Sequence, residues 1–511
     1  MNPERSPLHA WLDPASNEAL VEKYGAVSYA AQSNVLSHPD QLATIAALHG
    51  LSPPAVETCR VLELGCSDGA NLLPMAAELP DAEFVGCDLS PQAIAAARAM
   101  VAETGLGNVT LIEGDLRELS DGLGPFDFVI AHGVYSWVPP AVRDGLLELT
   151  ARCLAPNGLV FVTYNVYPGC HVRQAAWEVL HYHIRHLSTA RARLDAARTL
   201  ASALSQAGRL QMDNDVLLRR EFARIAQQPD SALYHDDLAV PNDPVYFHQF
   251  AEHARSHGLA FVSEGKLFNS SVLGFGAQMQ SIFAERSRLE REQYIDFASM
   301  RRFRQSVLCR IELEAALEWT PARTEAMHAA ASLSLRQTAA QGKALLNPTR
   351  PPIDGAEKAT LEAVLRRLVE IAPRALPVAE LEAQFRSMRR PPGPVARSIG
   401  ALLADAAIAD EVLLHVRPPR AKETPSPRPL ASPVARLQAR RGTAVTNLEH
   451  VTIQLPDAPP RALLALLDGE RDAAALDVAV GAALEVDEPA ARRRRIDQYV
   501  RQFARLGLLI A

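Results

Sequence analysis

Long apolar runs are missing from this 511-residue sequence. No stretch of about 18 consecutive apolar residues occurs, so no membrane-spanning helix and no membrane insertion are expected. Cysteine is scarce. The six thiols (Cys59, Cys66, Cys87, Cys153, Cys170 and Cys309) form no CxxC pair and fit no zinc module. The first residues, MNPERSPLHAWLDPAS, carry charge and proline where a signal core would be apolar, so a reduced, cytoplasmic compartment is the expectation. Aromatic residues make up only 6%, and alanine is common, which favours helix over a β-sandwich. Excess positive charge is absent too: 52 Lys and Arg stand against 59 Asp and Glu, a net charge of −7. Bulk charge therefore gives nucleic acid no hold, although local basic patches remain open. A Gly-rich phosphate loop, a nucleophile elbow and an HExxH motif are also lacking. What is present is ordinary globular usage, with 48% hydrophobic and 22% charged residues, which excludes disorder over most of the length. At roughly 150 residues per domain, about three domains are expected.

Over the first 170 residues, short apolar runs alternate with helical stretches. Arg60–Leu64, Glu83–Cys87, Val109–Glu113, Phe126–Ala131 and Leu159–Tyr164 read as five strands. Helices are expected over Asn71–Leu79, Ser90–Glu103 and Ala141–Cys153, with Ser90-Pro91 as cap and first-turn pair. This alternation predicts an α/β fold with a doubly wound parallel sheet. From His171 to about Phe250 the pattern is helical. Leu259–Ser263 and Val307–Glu312 then read as sixth and seventh strands, which makes the helical stretch an insertion in the sheet domain. Two proline-rich breaks follow, Asn347–Gly355 and Arg417–Pro433, the second a stiffened linker. The segments 356–416 and 434–511 each combine helices with a strand-like run and are compatible with small winged-helix-like units. No fixed-period repeat is present.

The chemistry-bearing stretch is Glu63-Leu64-Gly65-Cys66-Ser67-Asp68-Gly69-Ala70-Asn71, between a strand and a helix. Gly65 permits the tight turn, and Gly69 removes a side chain where a ligand approaches the backbone. A nicotinamide-dinucleotide fingerprint would need glycines at 65, 67 and 70, but Ser67 and Ala70 stand at the last two. What fits better is an acid on the first strand, a Gly-x-x-x-Gly turn and a second acid after strand two. Asp88 lies 23 residues beyond Gly65, at the carboxyl edge of the sheet, where it can accept from ribose hydroxyls. Asp115 closes strand three, in reach of an adenine. No phosphate needs neutralising, so no Lys or Arg is needed in the loop. Each acid alone could instead cap a strand or helix. The combined set resembles the S-adenosylmethionine site of class I methyltransferases. That resemblance implies a donor site built from Glu63, Gly65, Cys66, Ser67, Gly69, Asn71, Asp88, Leu89, Gly114, Asp115, Leu116, His132 and Gly133, with no metal. Family members usually carry a central glycine where this chain has Ser67, whose backbone must then adopt the turn.

The loop after strand four, His132-Gly133-Val134-Tyr135-Ser136-Trp137-Val138-Pro139, should overhang the reactive end of the donor. The Asp/Asn-Pro-Pro-aromatic tetrad of many amine methylases is absent, which counts against DNA-adenine methylation. Tyr135 and Trp137 could pack on an alkyl amine or a sulfonium, or Trp137 could staple the loop to the core. Strand five ends in Tyr164-Asn165-Val166-Tyr167-Pro168-Gly169, where Asn165 and Tyr167 offer acceptors to an amine or simply form a turn. A lysine amine with pKa near 10.4 must lose a proton at a cost of roughly 4–5 kcal/mol at neutral pH, and a desolvated pocket beside a sulfonium lowers that cost. Water can then take the proton. His183 and His186 sit one helical turn apart but lack the further ligands a metal needs. The runs Arg492–Arg495 and Arg301–Arg304 read as solvated faces, or as surfaces for an acidic partner or phosphates.

Further motifs narrow the family. Tyr24–Leu42 (YGAVSYAAQSNVLSHPDQL), the HGVYSWV loop, Tyr164–Gly169, Pro244–Phe250, Arg301–Arg310 and Val445–Leu448 together resemble bacterial methyltransferases that carry a methyltransferase regulatory domain. That family includes protein lysine methyltransferases acting on outer-membrane proteins. The resemblance implies a donor-binding core over 1–170, a helical regulatory or dimerisation region over 171–258 and completion of the sheet over 259–346. Middle and C-terminal winged-helix-like domains would follow over 356–416 and 434–511. It also implies a homodimer, and a lid of Tyr29, Ser33 and His38 over the donor. Ser28 and Ala30 depart from the family, where proline more often flanks the Tyr. The expectation is a donor-dependent N-methylation of lysine on a protein substrate, with Tyr135, Trp137, Asn165 and Tyr167 lining the acceptor pocket. The rivals are a biosynthetic small-molecule methyltransferase and a non-catalytic S-adenosylmethionine-binding regulator.

Overall fold

A computed structural model describes residues 27, 32–206, 213–347, 353–386, 397–422, 424–481, 484 and 488–510. Its central sheet comprises β1 (Arg60–Leu64), β2 (Glu83–Asp88), β3 (Val109–Glu113), β4 (Phe126–Ala131), β5 (Leu154–Asn165), β6 (Leu259–Glu264) and β7 (Phe303–Arg310). The strand order is 3-2-1-4-5-7-6, with β1 to β5 parallel and β7 antiparallel to both neighbours. The parallel strands are apolar almost without interruption because both faces are covered. Alternate residues serve opposite layers. Val61, Phe84, Phe128 and Phe161 meet Leu42, Ile45 and Met75 on one face. Leu62, Val85, Val129 and Val162 meet Leu146, Leu147, Phe247 and Phe250 on the other.

The helices flanking the sheet are α1 (Pro39–Leu48), α2 (Leu72–Glu78), α3 (Pro91–Thr104) and α4 (Pro140–Cys153). The Ser90-Pro91 start of α3 forms as the sequence predicts: the Ser90 hydroxyl accepts from Ala93 N. Its far end is closed by Gly105 in the left-handed region. Between β5 and β6, α5 (Cys170–Ile184), α6 (Ala190–Gln206) and α7 (Asp213–Ala226) share a core of Leu180, Leu194, Ala197, Phe222 and Ile225. A π-helical turn, Leu233–Asp237, and α8 (Phe247–Ser256) lead into β6, and α9 (Arg288–Ser299) precedes β7.

The Arg301–Arg304 run is only partly solvated: Arg302 is exposed, whereas Arg301 and Arg304 are withdrawn from solvent. Arg304 is fully buried and bonds Glu264 at 2.8 Å, Glu292 at 3.1 Å and Asp296 at 2.9 Å. Arg301 reaches Asp296 at 3.2 Å, and Arg302 reaches Glu221 at 2.7 Å. The reason is β7 itself. It is an internal strand, so its inward residues must be buried, and three acids from β6 and α9 compensate the one guanidinium it carries inside.

A second sheet, ordered β10-β8-β9, is antiparallel and formed by β8 (His328–Ala331), β9 (Leu376–Pro377) and β10 (Val412–His415). It packs with α10 (Gly355–Glu370), α11 (Val378–Phe385) and α12 (Ile399–Ile408). Its central strand lies before the proline-rich break at Asn347–Gly355, outside the segment 356–416. The run HAAA carries no apolar alternation, so nothing in its pattern marks a strand. The last segment holds α13 (Pro433–Arg441), the hairpin β11 (Ala444–Thr446) and β12 (Thr452–Gln454), α14 (Ala458–Leu464), α15 (Ala473–Val480) and α16 (Pro489–Arg505). In the Arg492–Arg495 run, Arg492 and Arg493 pair with Asp477 and Arg494 with Glu488, so these charges are engaged within the chain. Val434 and Leu437 of α13 pack on Leu73, Ala77 and Met100, which docks the C-terminal segment on α2 and α3.

Candidate functional site

A cavity of about 1240 Å3 opens at the carboxyl ends of β1, β2 and β4. The β1–α2 turn is its floor. Gly65 has φ +76, and its N–H donates to Cys87 O at 2.8 Å. Ser67 adopts φ 49, left-handed backbone where a glycine is usual, and its N–H donates to Asp88 Oδ2 at 2.8 Å. Ser90 N–H donates to Asp88 Oδ1 at 2.8 Å. These two backbone bonds fix the carboxylate at the cavity wall, and burial raises it above the ordinary carboxylate range. Gly69 does not line the cavity. It turns the chain into α2 at φ +80, where a Cβ would lie 2.8 Å from the Leu73 side chain.

Glu63 is buried at the cavity. Its Oε1 accepts from Asn71 Nδ2 at 2.7 Å, and its Oε2 has no partner among the described residues. Burial, with Asp88 and Asp68 adding, pushes its pKa up to about 8. Asn71 Oδ1 accepts from Asn34 N–H at 2.8 Å and faces His450 Nε2 at 2.9 Å. Ser33 Oγ lies 2.9 Å from Thr452 Oγ1. Ser33, His450, Val451 and Thr452 all line the cavity. The C-terminal segment therefore closes the site, 379 residues away from Asn71 in sequence.

Cys66, Leu89, Gly114, Asp115, Leu116, His132 and Gly133 also line it. Asp115 combines both readings of its role. It faces the cavity and also caps the turn Leu116–Glu118, accepting from Arg117 N–H at 2.9 Å and pairing with the Arg117 guanidinium at 2.5 Å. Burial holds the His132 imidazole down to about 4, so it is neutral at pH 7.

Several expected residues are elsewhere. His38 does not line the cavity. Its Nδ1 accepts from Asp40 N–H at 3.2 Å at the start of α1, and its Nε2 lies 3.2 Å from Glu78. Proline at the next position starts α1 there, which fixes the imidazole as a cap. Tyr29 lies outside the described residues. Tyr135 is turned away from the cavity: its ring meets Phe250 edge-on at 5.1 Å and its hydroxyl lies 2.8 Å from His253 Nδ1. Tyr167 stacks on His171 at 4.2 Å and donates to Gln174 Oε1 at 2.8 Å, again off the cavity. Burial pushes both phenols up to about 12, so neither is a base at neutral pH.

Trp137 and Asn165 do line the cavity. Asn165 Nδ2 donates to Asn242 Oδ1 at 2.7 Å, whereas Asn165 Oδ1 and Trp137 Nε1 are buried without a partner among the described residues. The lining also includes residues the sequence analysis missed: Arg173, His235, Asp236 and Phe303. Burial, then the neighbouring Asp237, raises Asp236 to about 6. The π-helical turn presents this acid, and no spacing rule marks such a turn in sequence.

A buried unpaired carboxylate oxygen near an oriented second carboxylate suits a ligand with one ammonium and a vicinal diol, which is the donor set S-adenosylmethionine needs. Comparison with known proteins agrees. Residues 61–158 match a methyltransferase domain, 229–310 a predicted methyltransferase regulatory domain, and 427–499 the PKMT C-terminal winged helix domain. An uncharacterised protein of Rickettsia prowazekii is 33% identical over 296 residues, 57% of this chain and 53% of its own length. The chain thus spans about half of that relative. A second uncharacterised protein of the same organism is 32% identical over 237 residues, 45% of this chain and 93% of that protein. The solved structure of PKMT2 from Rickettsia typhi in complex with AdoHcy superposes with a TM-score of 0.78 at 24% identity, covering 94% of this chain and 100% of that one, and so shares the fold. The chain belongs to the class I S-adenosylmethionine-dependent methyltransferases that carry a methyltransferase regulatory domain.

Proposed function

We propose that this chain methylates the side-chain amine of lysine on a protein substrate. The observation that carries the reading is what lines the cavity wall. Asn165 Oδ1 and the Asp236 carboxylate offer acceptors, and Trp137 and Phe303 offer apolar faces, in the same cavity as the Gly65–Ser67 turn. Such a wall fits a cation on an alkyl stem: the carboxylate attracts the ammonium, and the rings cover the methylenes. The accessory domains supply a broad surface for a macromolecule.

S-adenosylmethionine supplies an electrophilic methyl group on a sulfonium. Glu63 Oε2 would take its ammonium, Asp88 its ribose hydroxyls, and the turn at Gly65–Ser67 its approach to the backbone. The chain then has to align an uncharged amine for in-line attack, and positioning of this kind supplies much of the rate. At pH 7 Asp236 is largely ionised and can hold the incoming ammonium. The ammonium then gives its proton to water before methyl transfer, so no strong base is required, in keeping with the high phenol pKa values of Tyr135 and Tyr167. A homodimer, implied by the family resemblance, is the assembly we propose, to be measured by light scattering.

The test is incubation of the purified protein with methyl-labelled donor and fractionated lysate of its own host, with Asp88→Ala as control. Label mapped to lysine on a protein supports the reading. Label confined to small molecules would assign a biosynthetic methyltransferase, and donor binding without any label would assign a regulator. Once the protein substrate is in hand, Asp236→Asn should raise KM for it about tenfold and leave donor affinity unchanged. An unaltered KM would remove Asp236 from the acceptor wall.

A further inference from the structure

Outside the cavity, α4 and α8 bring three ligand-type side chains together. His253 and the α8 C-cap residue His257 are one helical turn apart, with ring centroids 5.2 Å from each other. Asp144 of α4 faces them: its Oδ1 lies 2.7 Å from His253 Nε2 and 3.7 Å from His257 Nε2. One donor atom from each residue lies within 4.8 Å of the other two. In four-coordinate zinc, with Zn–N and Zn–O bonds near 2.0–2.1 Å, ligand atoms stand roughly 3.4 Å apart. The two separations from Asp144 Oδ1, 2.7 and 3.7 Å, bracket that spacing, and all three donor atoms lie within 4.8 Å of one another.

A second observation points the same way. Tyr135 Oη lies 2.8 Å from His253 Nδ1, the ring nitrogen remote from Asp144. With Nε2 committed to an ion, Nδ1 carries the proton and donates it to the tyrosine oxygen. Metal-bound imidazoles are commonly oriented by such an outer partner. The nearby cations are otherwise engaged. Arg143 pairs with Asp243 at 3.2 Å, and Arg255 pairs with Glu314. The side chains of Asp144, His253 and His257 are 62%, 24% and 22% exposed, which leaves an entry path and a fourth position for water. None of the three lines the donor cavity.

We propose that Asp144, His253 and His257 bind one divalent ion of the zinc class, which clips α4 of the catalytic core to α8 of the regulatory segment. Two imidazoles and a carboxylate are a three-ligand set that zinc takes with water in the fourth position. The clip bears on the acceptor side of the cavity through Tyr135, because its neighbours Val134, Trp137 and Val138 line that cavity. In this scheme Tyr135 is a positioning residue for the ligand His253.

The test uses tag-free full-length protein stripped with chelator and titrated with Zn2+ alone by calorimetry, with Co2+ as a spectroscopic probe. The expected result is about one equivalent bound, a raised Tm, and the intense visible bands of four-coordinate Co2+. His257→Ala and Asp144→Asn should each weaken Zn2+ binding at least tenfold, and Tyr135→Phe about tenfold with all three ligands retained. Native AdoHcy affinity in His257→Ala would show that this variant is folded. Failure of the native protein to bind stoichiometric Zn2+ overturns the proposal. So does binding that survives unchanged in the double variant His253→Ala/His257→Ala, or a weak six-coordinate Co2+ spectrum that the substitutions do not alter.

Discussion

The most informative single group is Glu63. Its ordinary pKa of 4.5 is pushed to about 8, chiefly by burial, and one of its oxygens has no partner among the described residues. Between those two values the folded chain holds a proton that the unfolded chain has lost. The stability this group contributes is therefore full below about pH 4.5 and disappears as pH rises through about 8. The Tm of the ligand-free protein should fall across that window, and Glu63→Gln should flatten the fall. A ligand ammonium beside Oε2 favours the ionised form, so donor binding should expel a proton. AdoHcy affinity should then rise with pH toward about 8, and calorimetry in buffers of different ionisation enthalpy should detect the proton. A pH-independent affinity, equal in Glu63→Gln, would remove the ammonium from Glu63. Ser67 carries a related lesson. The sequence requires its backbone to do what glycine usually does, and φ 49 with a bond to Asp88 is how it does so.

Among the elements, β7 is the most demanding. It carries Arg304 into the interior, where Glu264, Glu292 and Asp296 surround it. Removing one partner of a buried ionic cluster leaves uncompensated charge. Arg304→Met should cost about 3–5 kcal/mol in urea unfolding, far more than an exposed arginine in the same run of sequence. A loss below about 1 kcal/mol, the range of surface pairs, would contradict the burial argument. The hairpin β11–β12 makes a milder prediction. Its turn carries His450 at φ 58 onto Asn71. His450→Ala deletes one hydrogen bond of roughly 1 kcal/mol, so AdoHcy should bind about fivefold more weakly, with the fold retained. Equal affinity would mean that the C-terminal segment covers the donor cavity without helping to hold its contents.

At the scale of the whole molecule, the site is assembled from three distant parts of the chain. The core supplies the glycine turn and both carboxylates. The regulatory segment supplies Asp236, and the C-terminal segment supplies His450, Val451 and Thr452. Much of the core was legible in sequence because its signals are local. Buried parallel strands read as apolar runs, caps declare themselves by Ser-Pro and glycine, and the spacing of Glu63, Gly65 and Asp88 is imposed by one β-turn-α-β unit. The five parallel strands and the existence of two later strands followed from those signals; that β7 runs antiparallel to both its neighbours did not. Side-chain direction did not. Tyr135, Trp137 and Tyr167 stand in loops next to the cavity, yet only Trp137 faces it, because the rings of Tyr135 and Tyr167 found partners in Phe250 and His171. The sequence by itself therefore determined the fold class, the strand–turn–helix at Gly65–Gly69 and the placing of Glu63 and Asp88 beside it, since each depends on residues a few positions apart. Only the tertiary structure decided which aromatic faces the cavity, that Arg304 is buried, and that a C-terminal histidine meets the first helix turn. Those outcomes depend on contacts across hundreds of residues, which no periodicity or spacing records.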